Sequence, residues 1–329
     1  MRNIRLTIEY DGTAYHGWQS QTNASTVQDT VTAAVNCLTD EACSLIGSSR
    51  TDTGVHALGY VCNFLTGSAI PADKFSYALN TLLPDDIVVR RSEEAPAGFH
   101  SRFDALGKTY RYLIYNSVFP SALLRNRAYH VYYPLNIGAM NRAAQHLTGT
   151  HDFIAFSAAG GSVKTTVRTI TKAEIKAAGQ PFGQSFGQSF GQPFEQSFGQ
   201  SFGQPFEQSF EQPFEQSFEQ DIAADLSAQE SFKYVALDGY EDVGKPESKT
   251  DIRPGQLIEF TITGNGFLYN MVRIIAGTLI EVGFGKLKPE DIPEILESLD
   301  RRKAGRTAPP HGLYLVEVYY DGKAGLQKK

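Results

Sequence analysis

Gly47-Ser48-Ser49-Arg50-Thr51-Asp52-Thr53-Gly54-Val55-His56 places a carboxylate two positions after a guanidinium, inside a turn bounded by glycines. Leu45 and Ile46 lead in as a short apolar strand and Ala57 to Phe64 lead out as another, so Asp52 is expected where two strands meet and backbone is exposed. An ionised aspartate in such a loop can act as a nucleophile. The same three residues, Arg50-Thr51-Asp52, also suit a structural ion pair or an Asx turn. Taken alone, the loop leaves both readings open.

Working outward, strand and helix patterns alternate. Arg2 to Tyr10 reads as a strand, and Thr26 can cap a helix from Val27 to about Leu38, whose Val27, Val31, Ala34, Val35 and Leu38 fall at helical spacing. Strands near 44–49 and 57–65, a helix near 72–82, and strands at 86–93 and 107–116 follow. The second half predicts a helix from Ile137 to Leu147, strands at 168–177 and 255–263, a helix from Tyr269 to about Val282, a helix near 289–299 and a last strand from Leu313 to Tyr320. Repeated β-α-β units with hairpins give an α+β class: two sandwiches, each an antiparallel sheet with helices on one face.

Between those last two hairpin strands lies a stretch that breaks the pattern. From Gly179 to Phe218 a four-residue unit, Gly or Glu, then Gln, then Pro or Ser, then Phe, occurs ten times. On a helix its phenylalanines would drift about 40° per repeat and form no stripe. Pro181, Pro193, Pro205 and Pro213 oppose a long helix and remove ladder donors from a strand. Disorder is the expectation for 179–251, a low-complexity insertion at the tip of a hairpin, where loop-closure cost grows only logarithmically with length. The expected organisation is an N-terminal half at 1–116, a C-terminal half at 117–178 and 252–322, and a tail at 323–329.

The insertion also distorts the charge. It holds thirteen acids against three lysines, so the formal −6 of the chain becomes −6 + 10 = +4 for the remainder. That balance is compatible with phosphate contacts from Arg90/Arg91, Arg102/Lys108/Arg111 and Arg125/Arg127, although most surface cations are merely solvated. Cys37, Cys43 and Cys62 form no C-x-x-C pair and have no histidines at zinc spacing, so they read as reduced thiols and no metal is expected. No apolar run approaches the roughly 18 to 20 residues that span a bilayer, so no membrane partner and a cytoplasmic location are expected.

Three further runs carry chemistry. Phe99-His100-Ser101-Arg102-Phe103-Asp104 precedes Gly107-Lys108-Thr109-Tyr110-Arg111-Tyr112; a P-loop reading of Gly107-Lys108-Thr109 fails because Arg102 stands where the first glycine is needed. Gly264-Asn265-Gly266-Phe267-Leu268-Tyr269-Asn270-Met271-Val272-Arg273 leads into a helix whose apolar neighbours pack inward, an odd place for Arg273 unless it meets an anion. Asp52 is the anion expected there: the pairing would keep the carboxylate ionised, and a bidentate guanidinium would hold both its oxygens. Thr307-Ala308-Pro309-Pro310-His311-Gly312-Leu313-Tyr314-Leu315 closes the set.

Together these segments resemble the TruA family of tRNA pseudouridine synthases: R-T-D-x-G-V-H at 50–56, F-H-x-R-F with Y-R-Y at 99–112, the M-V-R ending at 271–273, and T-A-P with G-L-Y-L at 307–315. The resemblance implies two related ferredoxin-like (RRM-like) α+β halves with joined antiparallel sheets, the pseudouridine synthase fold, and a cleft between them. It implies Asp52 as nucleophile, Arg273 as its counter-ion and Tyr110 as the ring that stacks on the target base and a candidate general base. Arg50 is expected to contact substrate, as are Lys164 and Arg168 from a family loop touching RNA. The implied reaction turns uridine into pseudouridine in the anticodon stem-loop of tRNA, at about positions 38 to 40, by a homodimer without a cofactor. Two other readings stand beside it. Asp52-Thr53-Gly54 is also the aspartic-protease triplet, which needs two carboxylates sharing a proton. The same sheet could also be a non-catalytic RNA-binding module.

Overall fold

Alternation along Arg2–Tyr10 buries Ile4, Leu6, Ile8 and Tyr10, and these join Val27, Val31 and Val35 of the first helix in one hydrophobic cluster. The computed structural model describes residues 1–160, 163–178 and 255–321, all within a unit formed by Met1–Gly183 and Arg253–Lys329. The expected insertion at 179–251 and the tail at 323–329 lie outside the described residues. The strands are β1 Arg2–Tyr10, β2 Ile46–Gly47, β3 His56–Thr66, β4 Ile87–Ala95, β5 Gly107–Asn116, β6 Tyr129–Val131, β7 Gly149–Asp152, β8 Val167–Ala177, β9 Gln256–Gly264 and β10 Leu313–Tyr319. The α-helices are α1 Val27–Thr39, α2 Phe75–Leu79, α3 Ile137–Gln145, α4 Met271–Gly283 and α5 Asp291–Ser298.

Among the described residues ten strands form one sheet, ordered β4-β1-β3-β10-β5-β9-β8-β7, with β2 on β3 and β6 on β5. The fold is α+β with a mostly antiparallel sheet; among the described residues the parallel pairings are β10 with β3 and β6 with β5. Strand β10 is what joins the two sides. Leu315 pairs with Ala57 of β3 on one edge and with Tyr110 of β5 on the other. Neighbouring strands lie about 4.8 Å apart, so this row sets Tyr110 about 10 Å from the strand that follows the 47–56 turn.

Several elements depart from the sequence-based expectation. The strand expected at 44–49 contracts to Ile46–Gly47, because the Gln28 amide takes the Leu45 carbonyl and the Ser101 hydroxyl takes that of Ile46. The helix expected at 72–82 is a 3-10 turn at Ala72–Lys74 followed by α2. It stops because Asn80 turns its side chain to bracket Val89 of β4, accepting from the amide and donating to the carbonyl. The helix expected from Tyr269 begins at Met271, since Asn270 adopts φ 59°. Strands β6 and β7 were absent from the expectation; three and four residues long, they carry too little alternation to read.

Helix α4 is apolar almost all round because it is covered on more than one side. A Cβ on Gly277 would lie 1.7 Å from the Arg306 carbonyl, and the Ala308 amide donates to the Arg273 carbonyl at 3.0 Å. The segment before β10 therefore runs directly against the helix, next to Arg273. Among the described residues no helix is long and apolar enough to cross a membrane.

Candidate active site

The 47–56 turn is clamped from beneath. Trp18 stacks on Tyr60 with ring centroids 3.9 Å apart, and the Tyr60 hydroxyl donates to the Ser49 carbonyl. The Trp18 amide donates to the Thr51 carbonyl at 3.3 Å, the Tyr10 hydroxyl meets Thr51 Oγ1 at 2.9 Å, and the Gly54 amide donates to the Tyr15 carbonyl. The Val55 amide closes the turn onto the Asp52 carbonyl at 3.1 Å, with Gly54 at φ +76°, the positive value a type II turn requires at that position. Gly17 also has φ +84°, and a Cβ there would stand 2.2 Å from the Thr51 carbonyl. Gly17→Ala is accordingly expected to cost about 1 to 3 kcal/mol of stability through backbone strain and loop displacement, read as a fall in Tm.

Asp52, 29 % exposed, receives a hydrogen bond at Oδ2 from Arg273 Nη1 at 3.0 Å; Arg273 is 16 % exposed. The guanidinium is itself fixed, with Nε donating to the Ala308 carbonyl at 2.8 Å and Nη1 also donating to Asn270 Oδ1 at 2.9 Å. The left-handed turn at Asn270 aims that amide oxygen back at the first helical turn. The expected bidentate clasp is therefore corrected to a single contact: Nε is committed to the backbone, which leaves Asp52 Oδ1 without a hydrogen bond among the described residues. Asp52 does not pair with Arg50. An aspartic protease needs a second carboxylate facing the first, whereas the partner of Asp52 here is an arginine.

Tyr110 is 7 % exposed. Phe267 sits edge-on to it at 5.0 Å, carried by the turn between β9 and α4. Burial pushes the phenol up to about 12; the hydrogen bond with Ser49 opposes that rise and the charge of Asp52 adds to it. Ser49 Oγ lies 3.4 Å from the Tyr110 hydroxyl and accepts from Lys108 Nζ at 3.0 Å. Tyr110 and Asp52 thus belong to one site, tied through the loop residue Ser49.

The other expected contacts are dispersed. Arg50 and Lys164 are exposed and have no side-chain partner among the described residues. Arg168 donates to the carbonyls of Thr165 and Val167 and lies against Gly266, so it shapes the loop beside Phe267. Several cations grouped as phosphate contacts are paired instead: Arg90 with Glu9, Arg91 with Glu93, Arg111 with Glu259 and Arg127 with Asp11. Arg102 and Arg125 remain exposed. Ser49, Phe267 and Asn270 carry no chemical signature of their own in the sequence; only their places inside the 47–56 and 264–273 runs mark them.

One carboxylate fixed by an arginine beside a buried tyrosine, on a continuous α+β sheet, defines a class that comparison with known sequences makes specific. The tRNA pseudouridine synthase family model matches residues 6–104 and 143–321, spans that contain Asp52 and Arg273, with Tyr110 between them. The chain belongs to that family. It is 47 % identical to tRNA pseudouridine synthase A of Acetivibrio thermocellus and 46 % identical to that of Ruminiclostridium cellulolyticum, each over 97 % of this chain and 100 % of the relative. Similarity to tRNA pseudouridine synthase A 2 of Clostridium tetani is 42 % over 97 % of the chain and 99 % of the relative.

Proposed function

We propose that this chain isomerises uridine to pseudouridine in tRNA, within the anticodon stem-loop at about positions 38 to 40, with Asp52 as the nucleophile. What supports this reading is the one-sided grip on Asp52: Arg273 holds Oδ2, Oδ1 has no hydrogen bond among the described residues, and the charge of Asp52 is felt at the Tyr110 phenol. The reaction breaks N1–C1′, forms C5–C1′, releases the proton from C5 and places one on N1, so composition and oxidation state are unchanged. The carboxylate supplies the nucleophile and Arg273 orients it. Tyr110 supplies a flat face for the displaced base, stacking being worth about 1 to 3 kcal/mol. With its phenol held near 12 it presents a protonated hydroxyl at neutral pH, which favours stacking and hydrogen bonding over proton abstraction.

In this reading the chain has two α+β halves, 1–116 and 117–178 with 252–322, and works in the cytoplasm as a homodimer. The exposed cations Arg50 and Lys164 meet the RNA backbone, while Arg168 supports the loop that presents Lys164. Incubation of the purified chain with tRNA tritiated at uridine C5 tests the activity, because pseudouridine formation must release that tritium to water. No release would sink the proposal. Tyr110→Phe is expected to keep tRNA binding and to retain more turnover than Tyr110→Ala, which loses the stacking face and about 10-fold or more in rate. Equal rates for the two variants would remove the stacking role.

A further inference from the structure

Lys108 enters the sheet at the start of β5, two residues before Tyr110, so both side chains leave the strand on the same face. Its ladder neighbours are Val318 on β10 and Gly264 on β9, and neither carries a charge. From the turn it faces Ser49, to which its ammonium donates at 3.0 Å, and the charge acting on it is the like charge of Arg102. Lys108 makes no ion pair among the described residues. A half-buried ammonium without a counter-ion is costly, so a residue of this type at this place calls for a reason.

We infer that Lys108 is a positioning residue for the isomerisation, holding the nucleophile loop in register with Tyr110 through their shared contact, Ser49. This rests on the stacking role proposed for Tyr110. The ammonium has only donors to offer, so it occupies a lone pair of Ser49 Oγ and fixes that side chain between the loop and the tyrosine hydroxyl, 3.4 Å away. Ser49 in turn is joined to Asp52 by two intervening residues, and its carbonyl is held by Tyr60. Loop and stacking ring therefore move together.

Burial, with a smaller contribution from Arg102, brings Lys108 down to about 8 from its ordinary 10.5. Above about pH 8 the neutral amine can accept a hydrogen bond from the Ser49 hydroxyl, and the polarity of the Lys108–Ser49 contact reverses. A lysine depressed in the fold costs stability below about 8, and that cost fades as pH rises towards 10.5.

The test compares the full chain with Lys108→Met and Ser49→Ala in steady-state assays on tRNA, from roughly pH 6 to roughly pH 10. Wild-type kcat is expected to fall along an alkaline limb centred near 8. Lys108→Met should lose that limb and about 10-fold in kcat, with KM within about two-fold. Ser49→Ala should show a similar fall in kcat, with no further loss in the double variant. It also carries the test if Lys108→Met does not fold. Wild-type kcat and an unchanged limb in both variants would overturn the inference, as would a rise in KM alone, which would make Lys108 a phosphate contact. An inactive wild type would overturn the functional reading and this inference with it; an active wild type with indifferent variants would overturn this inference alone.

Discussion

Asp52→Asn is expected to lower pseudouridine formation by on the order of 10⁴-fold or more while leaving tRNA affinity within about two-fold. The amide keeps an oxygen that can accept from Arg273 Nη1, and the turn is held by backbone contacts from Trp18, Tyr15 and Val55 that do not involve the carboxylate. The substitution therefore removes a nucleophile from a loop that stays in place. A purely structural Asp52 would give the opposite pattern, a lower Tm with activity falling only as the folded fraction falls. Steady-state rates and a thermal melt on the same preparation separate the two.

Arg273→Lys is expected to have the second largest effect, a loss of about 10² to 10³-fold in kcat with a smaller change in KM. Its guanidinium meets the Ala308 carbonyl, Asn270 Oδ1 and Asp52 Oδ2 at once from a planar fork. One ammonium cannot reproduce that geometry. Whichever acceptor it abandons, Asp52 loses its fixed orientation or the 304–309 segment loses a tie to α4. The lost hydrogen bonds should also cost about 1 to 2 kcal/mol in stability, measurable by denaturant titration.

Much of the scaffold was legible because its signals are local. Thr26 does cap α1, its hydroxyl accepting from the Asp29 amide, and the alternation of Arg2–Tyr10 marks β1 directly. Strands β8 and β9 pair antiparallel despite the long stretch between them in sequence. The pairing of β10 with β3 was not legible, since two parallel residue pairs between segments more than 250 positions apart leave no periodic trace. Nor was the early stop of α2, which depends on Asn80 reaching Val89 in the strand that follows it in sequence.

At the site the pattern is similar. The residue types at 50–52 suggested a local ion pair as readily as a nucleophile, because proximity in sequence is all that a single run displays. The fold shows Arg50 turned to solvent and Arg273 brought in from 221 positions away. The single-contact geometry also depends on the Ala308 carbonyl, a backbone atom that side-chain patterns cannot report. Lys108 was grouped with surface cations because an alternating strand does not announce that its next turn will be covered by a distant loop.

The most direct test of the central claim is nucleotide-resolution mapping of pseudouridine in tRNA incubated with the purified chain and, in parallel, with its Asp52→Asn variant. Pseudouridine is expected at about positions 38 to 40 with the parent chain and none there with the variant. Pseudouridine formed equally by both proteins, or by neither, would contradict it.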